Sequence, residues 1–348
     1  MAPVAVIGSG LIGRSWAIVF ARAGHAVRLW DGAPGVAAAA LARIEAALVD
    51  LREVGLLDDP VEVTQARITV ALSLAEALKG AELAQESAPE SVAVKRSVFA
   101  DLDAAAAPAT ILASSTSSIP ASRFTESLAG RGRCLVAHPV NPPHLVPLVE
   151  LVPAPWTDLA VVERARGFYD AVGQVPITVR GEIHGFILNR LQGAVLAEAF
   201  RLVADGYVGA EDLDRTMRDG LGLRWSFMGP FETIDLNAPG GIIDYVARYA
   251  GLYEEIGASQ LPRPWDTEAV RRIELERREQ LSATELGARA GWRDRRLARL
   301  VAHKREAATA DDAASGGAAP AHQRETAAAD HAASGGAAPA DEGSLADA

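Results

Sequence analysis

The chain has 348 residues, 49% of them hydrophobic, one cysteine and a formal net charge of −11. That length exceeds what a single core supports, so two folded units are expected, and the negative charge argues against nucleic acid or an anionic membrane surface as a partner. No run approaches the ~20 apolar residues of a membrane helix, and the N-terminus lacks the layout of a signal peptide, so a cytoplasmic protein is expected.

In chain order, residues 3 to about 179 alternate short β-rich apolar runs with helical patterns, the signature of parallel βαβ units. The patterning predicts strands at 4–7, 27–30, 67–70, 83–86, 110–113 and 134–138, with another near 149–152. Amphipathic stretches at 36–55 and 91–106 are long enough for the crossover helices that a doubly wound sheet requires. After Gly185 strand patterns stop, and helices are predicted at 186–204, 210–220, 230–234 and 242–256, followed by a charged helix over about 266–307. Beyond that, AASGGAAPA occurs twice, at 313–321 and 332–340, in an aromatic-free stretch whose composition predicts disorder. The expected fold class is therefore α/β, with three parts. Residues 1–183 form a Rossmann-type doubly wound, mostly parallel sheet domain, 184–306 a helical substrate and dimerisation domain, and 307–348 a disordered tail. A segregated, apolar helical unit often serves as a dimer interface, and a homodimer through the helical domain is expected, although the sequence itself shows only the hydrophobicity.

Gly8-Ser9-Gly10-Leu11-Ile12-Gly13 follows the first apolar run and opens a helical stretch, which is where a dinucleotide-binding glycine turn must sit. Gly8 permits the tight turn, Gly10 lets a pyrophosphate approach the backbone, and Gly13 lets helix and strand pack closely. The helix N-terminus, with Leu11 and Ile12, then offers free amides to the phosphates. Asp31, 18 residues past Gly13, stands at the end of the second predicted strand. A carboxylate there binds ribose hydroxyls and repels a 2′-phosphate, which favours NAD over NADP. Cys134 has no second cysteine to pair with and no metal-ligand spacing around it, so a buried thiol is expected and no metal site.

The segment ILASSTSSIPASRFTESLAGRGRCLVAHPVNPPHLVPLVE, residues 111–150, resembles the 3-hydroxyacyl-CoA dehydrogenase superfamily. That resemblance maps the family's active-site positions onto Ser117, His138, Glu150 and, in GFILNRL, Asn189; Asn141 follows the histidine in the family's His-x-x-Asn-Pro pattern. By the resemblance, His138 is the general base, Glu150 orients it, and Ser117 and Asn189 hold the substrate oxygen. On chemistry alone His144 and His184 rival His138, and only the motif separates them. ESAPESVAVK, residues 86–95, is similar to the family segment whose glutamate and lysine contact the cofactor, which maps Glu90 and Lys95; lysine otherwise occurs only at 79 and 304. The resemblance also brings Ser117 and Asn141 to the cofactor.

PVNPP, PLVELVP and GLGLRWSFMGPFET are similar to the lambda-crystallin or L-gulonate 3-dehydrogenase branch. Acyl-CoA members carry basic residues after the second strand, whereas residues 31–60 here hold only Arg43 and Arg52. The branch resemblance implies an NAD-dependent dehydrogenase of a small 3-hydroxy acid such as L-gulonate, and makes Arg224 a candidate for the substrate carboxylate, reached across a dimer. Rival implications are a 3-hydroxybutyryl-CoA or other 3-hydroxyacyl-CoA dehydrogenase, a carnitine-type hydroxy acid dehydrogenase, and a crystallin-like NAD-binding protein without catalysis.

Overall fold

The computed structural model describes residues 1–314 of the chain. Eight strands form one sheet in the order β3-β2-β1-β4-β5-β6-β7-β8: β1 (Val4–Ile7), β2 (Val27–Trp30), β3 (Ile68–Val70), β4 (Leu83–Glu86), β5 (Ile111–Ser114), β6 (Cys134–Pro139), β7 (Leu148–Pro153) and β8 (Val175–Thr178). The first six run parallel in the doubly wound order, with β7 antiparallel to β6 and β8 parallel to β7. Between them lie α1 (Leu11–Arg22), α2 (Val36–Glu53), α3 (Val61–Ala66), α4 (Leu74–Leu78), α5 (Val92–Ala105), α6 (Ser122–Thr125) and α7 (Leu159–Ala171).

Strands β1, β4 and β5 are buried at every position and show no alternation of exposed and buried residues; β1 is wholly apolar, whereas β4 and β5 end in the buried polar residues Gln85, Glu86 and Ser114. Helix α1 turns Trp16 and Phe20 inward, where they stack at 5.3 Å and meet Tyr169 and Phe168 of α7 at 5.5 and 5.6 Å. That aromatic contact closes the sheet face opposite the cluster of Phe99, Phe124 and Phe186.

From α8 (Leu188–Ala204) onward only helices follow: α9 (Ala210–Arg215), α10 (Gly222–Trp225), α11 (Pro230–Asp235), α12 (Gly241–Ser259), α13 (Thr267–Gln280) and α14 (Leu286–Ala314). Residues 1–299 form one compact unit, and the described residues from Leu300 belong to a second. None of the described helices is long and apolar enough to cross a membrane.

Several expectations are corrected here. The predicted helix at 186–204 starts only at Leu188, because Gly185 and Phe186 adopt left-handed backbone. The helix predicted over 210–220 is α to Arg215 and then a π-turn over Thr216–Leu221, a widening that brings the Met217 carbonyl against Gly222, where a β-carbon would sit 2.8 Å from it. The charged helix predicted over 266–307 is two helices, broken where Leu281 is extended and Ser282 opens a capping box with Glu285. Residues 307–314 of the predicted disordered tail are the last turns of α14, and the rest of that tail lies outside the described residues. Helix α7 and strand β8 were not anticipated.

Cys134 starts β6 with no exposed surface, and burial, reinforced by the Asp103 carboxylate, pushes its thiol up to about 12. A thiolate is the reactive form, so the native protein is expected to ignore a disulfide-exchange reagent such as DTNB at pH 8 and to release one equivalent of chromophore only on denaturation. Rapid stoichiometric labelling of the folded protein would contradict this burial.

Candidate active site

The glycine turn lies where β1 hands over to α1. A β-carbon on Gly13 would stand 1.8 Å from the Gly8 carbonyl oxygen, and one on Gly8 would stand 2.7 Å from the Ser87 carbonyl oxygen, so both positions are closed to any side chain. At Gly10 a β-carbon meets nothing within 4 Å: the backbone there faces open space. Helix α1 begins with no side-chain cap and no acid in its first turn, leaving the positive end of its dipole uncompensated. A close-packed turn, open backbone at its centre and a bare helix N-terminus fit a dinucleotide pyrophosphate.

Leu11 and Ile12 open α1, Leu11 largely exposed. Asp31 follows β2, and its Oδ2 accepts from both the Ser9 amide and the Ser9 hydroxyl at 2.8 Å, while Oδ1 accepts from the Ala33 amide at 3.0 Å. Burial opposes its charged form, yet the Ala33 and Ser9 donors together hold the carboxyl below its usual range. A carboxylate is thus fixed beside the turn.

The second element of the site comes from sheet topology. Because β7 returns antiparallel to β6, the register sets His138 directly opposite Glu150. Their side chains share one face, and Glu150 Oε2 lies 2.7 Å from His138 Nδ1 with the two residues 0% and 5% exposed. The other carboxylate oxygen, Oε1, accepts the backbone amides of Ile187 and Leu188 at 2.8 and 2.9 Å, at the start of α8. Burial raises the Glu150 pKa, but the hydrogen bonds from His138, Leu188 and Ile187 outweigh it and hold the group below the usual carboxylate range. An ionised carboxylate only accepts, so His138 carries a proton on Nδ1, and in the neutral ring the lone pair is then on Nε2. Nε2 makes no hydrogen bond among the described residues.

Ser117 and Asn189 meet, though not through the Ser117 hydroxyl: Asn189 Nδ2 donates to the Ser117 carbonyl oxygen at 2.8 Å, joining the start of α8 to the loop after β5. That loop is gripped from its other side by Glu90. Its Oε1 accepts from the Thr116 hydroxyl at 2.6 Å, the Ser117 amide at 2.9 Å and the Ser117 hydroxyl at 3.1 Å. Burial works against the Glu90 charge; the Thr116 hydrogen bond, the Lys95 cation and Ser117 overcome it and depress the pKa.

Lys95, which the resemblance maps to the cofactor, lies inside the protein. It is 1% exposed, and its ammonium bonds both oxygens of the fully buried Glu86 at 3.0 and 3.1 Å and lies 3.7 Å from Glu90 Oε2. In this arrangement it orders Glu90 and the loop rather than facing outward. Glu86, which also accepts from Ser114 Oγ, and Thr116 were missed by the sequence reading. The signal for Glu86 was an acid closing an otherwise uncharged strand nine residues before a rare lysine.

The rival histidines separate on environment. Burial, with Arg22 and Arg14 nearby, pushes His144 down to about 4, so it stays neutral at pH 7. No carboxylate pairs with it among the described residues, and His184 is exposed. Asn141 is exposed and precedes a cis peptide bond to Pro142. Arg224 lies in α10 one residue before its end, exposed, without a side-chain hydrogen bond or ion pair to Ser117, His138 or Asn189 among the described residues.

The model of the NAD-binding domain of 3-hydroxyacyl-CoA dehydrogenase matches residues 3–183, and that of its C-terminal domain matches residues 185–284. The chain belongs to the 3-hydroxyacyl-CoA dehydrogenase family. NAD is accordingly its cofactor. Lambda-crystallin of Oryctolagus cuniculus is 40% identical over 308 residues, covering 87% of this chain and 96% of that one. L-carnitine dehydrogenase of Streptomyces griseus is 41% identical over 263 residues, 75% of each. Among solved structures, 5-formyl-3-hydroxy-2-methylpyridine 4-carboxylic acid 5-dehydrogenase, an NAD+-dependent dismutase, superposes with a TM-score of 0.71 at 26% identity, over 85% of this chain and 96% of that one.

The glycine geometry separates two effects. Gly10→Ala is expected to melt within about 2 °C of wild type yet weaken NADH binding about tenfold or more, because its methyl would stand where the pyrophosphate approaches. Gly13→Ala is expected to lower Tm as well, since its methyl collides with backbone. Thermal melts with NADH fluorescence titrations test this, and undiminished NADH affinity in Gly10→Ala would rule out the placement.

Proposed function

We propose that the protein oxidises the 3-hydroxyl of a small free hydroxy acid, of the L-gulonate kind, to the 3-keto acid with NAD as acceptor. The observation that carries this reading is the His138–Glu150 pair: a buried imidazole whose Nδ1 proton is fixed by an ionised carboxylate, leaving Nε2 as a base. The chemistry NAD supplies when bound is acceptance of the hydride from the carbinol carbon. His138 Nε2 takes the hydroxyl proton, and Glu150 stabilises the imidazolium that forms. Ser117, turned from Glu90, and the second N–H of Asn189 hydrogen-bond the substrate oxygen and fix the carbinol carbon in position. In the reverse direction the same imidazolium returns its proton to the carbonyl oxygen as the hydride arrives.

Two observations favour a free acid over a CoA thioester. Residues 31–60 offer only two cations to a polyphosphate tail, Arg43 and Arg52, and Arg52 Nη1 already donates to the Leu57 and Asp58 carbonyl oxygens, both at 2.8 Å. Carnitine, on which the 41% identical Streptomyces griseus relative acts, is itself a 3-hydroxy acid without a thioester. The intact pair also favours catalysis over a purely structural role of the lambda-crystallin kind.

The reading includes a homodimer built on the helical domain. Helix α12 buries none of its 19 residues within the chain, although Ile242, Ile243, Val246, Tyr249, Leu252 and Tyr253 lie along it. Arg224 of one copy is proposed to serve the carboxylate bound by the other, a task suited to its planar fork.

Steady-state rates with NAD and L-gulonate, carnitine, 3-hydroxybutyrate or 3-hydroxybutyryl-CoA test the substrate class. Turnover is expected with a free acid, and a dominant preference for the thioester would overturn the assignment. His138→Gln is expected to reduce kcat by about 10²- to 10⁴-fold with NADH affinity unchanged. Arg224→Ala is expected to raise KM for the acid about ten- to a hundredfold, the worth of a hydrogen bond to a charged group, again without loss of NADH binding. An unaltered KM would remove Arg224 from the site.

A further inference from the structure

We infer that the left-handed turn at Gly185-Phe186 is a built-in aligner of the catalytic base, and that Phe186 is a positioning residue for His138. The inference rests on the dehydrogenase reading above. Phe186 has φ 48°, the one described residue other than glycine in the left-handed region, and it follows Gly185 at φ 76°. For a bulky side chain that conformation is disfavoured, and it persists only where surrounding contacts impose it.

The contacts that impose it converge on the His138–Glu150 pair. The Phe186 ring is fully buried and packs at 5.5 Å and 53° on the His138 imidazole. It belongs to the cluster that contains Val136 of β6 and Val152 of β7, the strands that carry His138 and Glu150. Its amide closes a turn onto the Ile183 carbonyl oxygen at 3.1 Å. The reversal that follows aims the next two amides, those of Ile187 and Leu188, at Glu150 Oε1. The next residue, Asn189, reaches the Ser117 carbonyl oxygen.

One strained dipeptide therefore sets three things together: the plane of the imidazole, the orientation of the carboxylate that holds it, and the start of the helix that presents Asn189. Had α8 begun at Phe186, as its sequence pattern predicts, the two amides would still be free in its first turn, but their direction would follow the helix axis rather than the reversal at Gly185-Phe186. The ring touches no reacting atom in this reading; it acts through His138.

Two variants separate the ring from the turn. Phe186→Leu keeps apolar bulk but removes the ring face. Gly185→Ala keeps the ring and has space for its methyl, with the nearest atom at 3.7 Å, but strains the turn at φ 76°. Both are measured for Tm, NADH affinity by fluorescence titration, and kcat and KM with the hydroxy acid that wild type oxidises. Each is expected to lose kcat about ten- to a hundredfold, the scale of a small misplacement of a catalytic group, while NADH affinity stays within about twofold. Retention of kcat within about twofold in both variants, or NADH affinity and kcat falling together with Tm, overturns the inference and leaves the dehydrogenase reading standing. A wild-type protein that binds NADH but turns over no hydroxy or keto acid overturns both.

Discussion

The carboxylate of Glu150 is the constraint on which the site is organised. It is fully buried, and each of its oxygens is committed to a different part of the molecule: Oε2 to the imidazole on the neighbouring strand, Oε1 to two amides at the start of the helical domain. A buried carboxylate is tolerable only when its lone pairs are satisfied. The requirement that stabilises Glu150 thus also ties His138 of the sheet domain to the first helix of the next. An antiparallel strand pair within a sheet otherwise wound in parallel supplies the register that makes the tie possible.

Most of the sheet was legible because its strands are buried on both faces, and short continuous apolar runs between glycine-rich punctuation are hard to mistake. The glycine turn was legible for a related reason: the closeness of Gly8 to Ser87 and of Gly13 to Gly8 leaves no room for alternatives at those positions. The antiparallel return of β7 was not legible, since nothing in the Val-Leu-rich run reveals direction. Strand β8 escaped because VPIT is short, half-buried and interrupted by proline.

The start of α8 was misread for a more instructive reason. Phe186 continues the apolar periodicity of the helix, and local pattern carries no information about a left-handed residue held in place by tertiary packing. The role of Lys95 was obscured similarly. Its spacing from Glu90 resembles that of a cofactor contact, whereas its burial is set by Glu86, a partner nine residues upstream at the end of the neighbouring strand.

That buried pair has a consequence for how the sequence can change over time. Removing one member of a buried ion pair leaves an uncompensated charge and costs about 3–5 kcal/mol, whereas replacing both with well-packed apolar residues is often neutral. Glu86 and Lys95 have 0% and 1% exposure, so neither is within easy reach of rescue by water. A single substitution at either site is therefore costly, and change is easier when both residues are exchanged together.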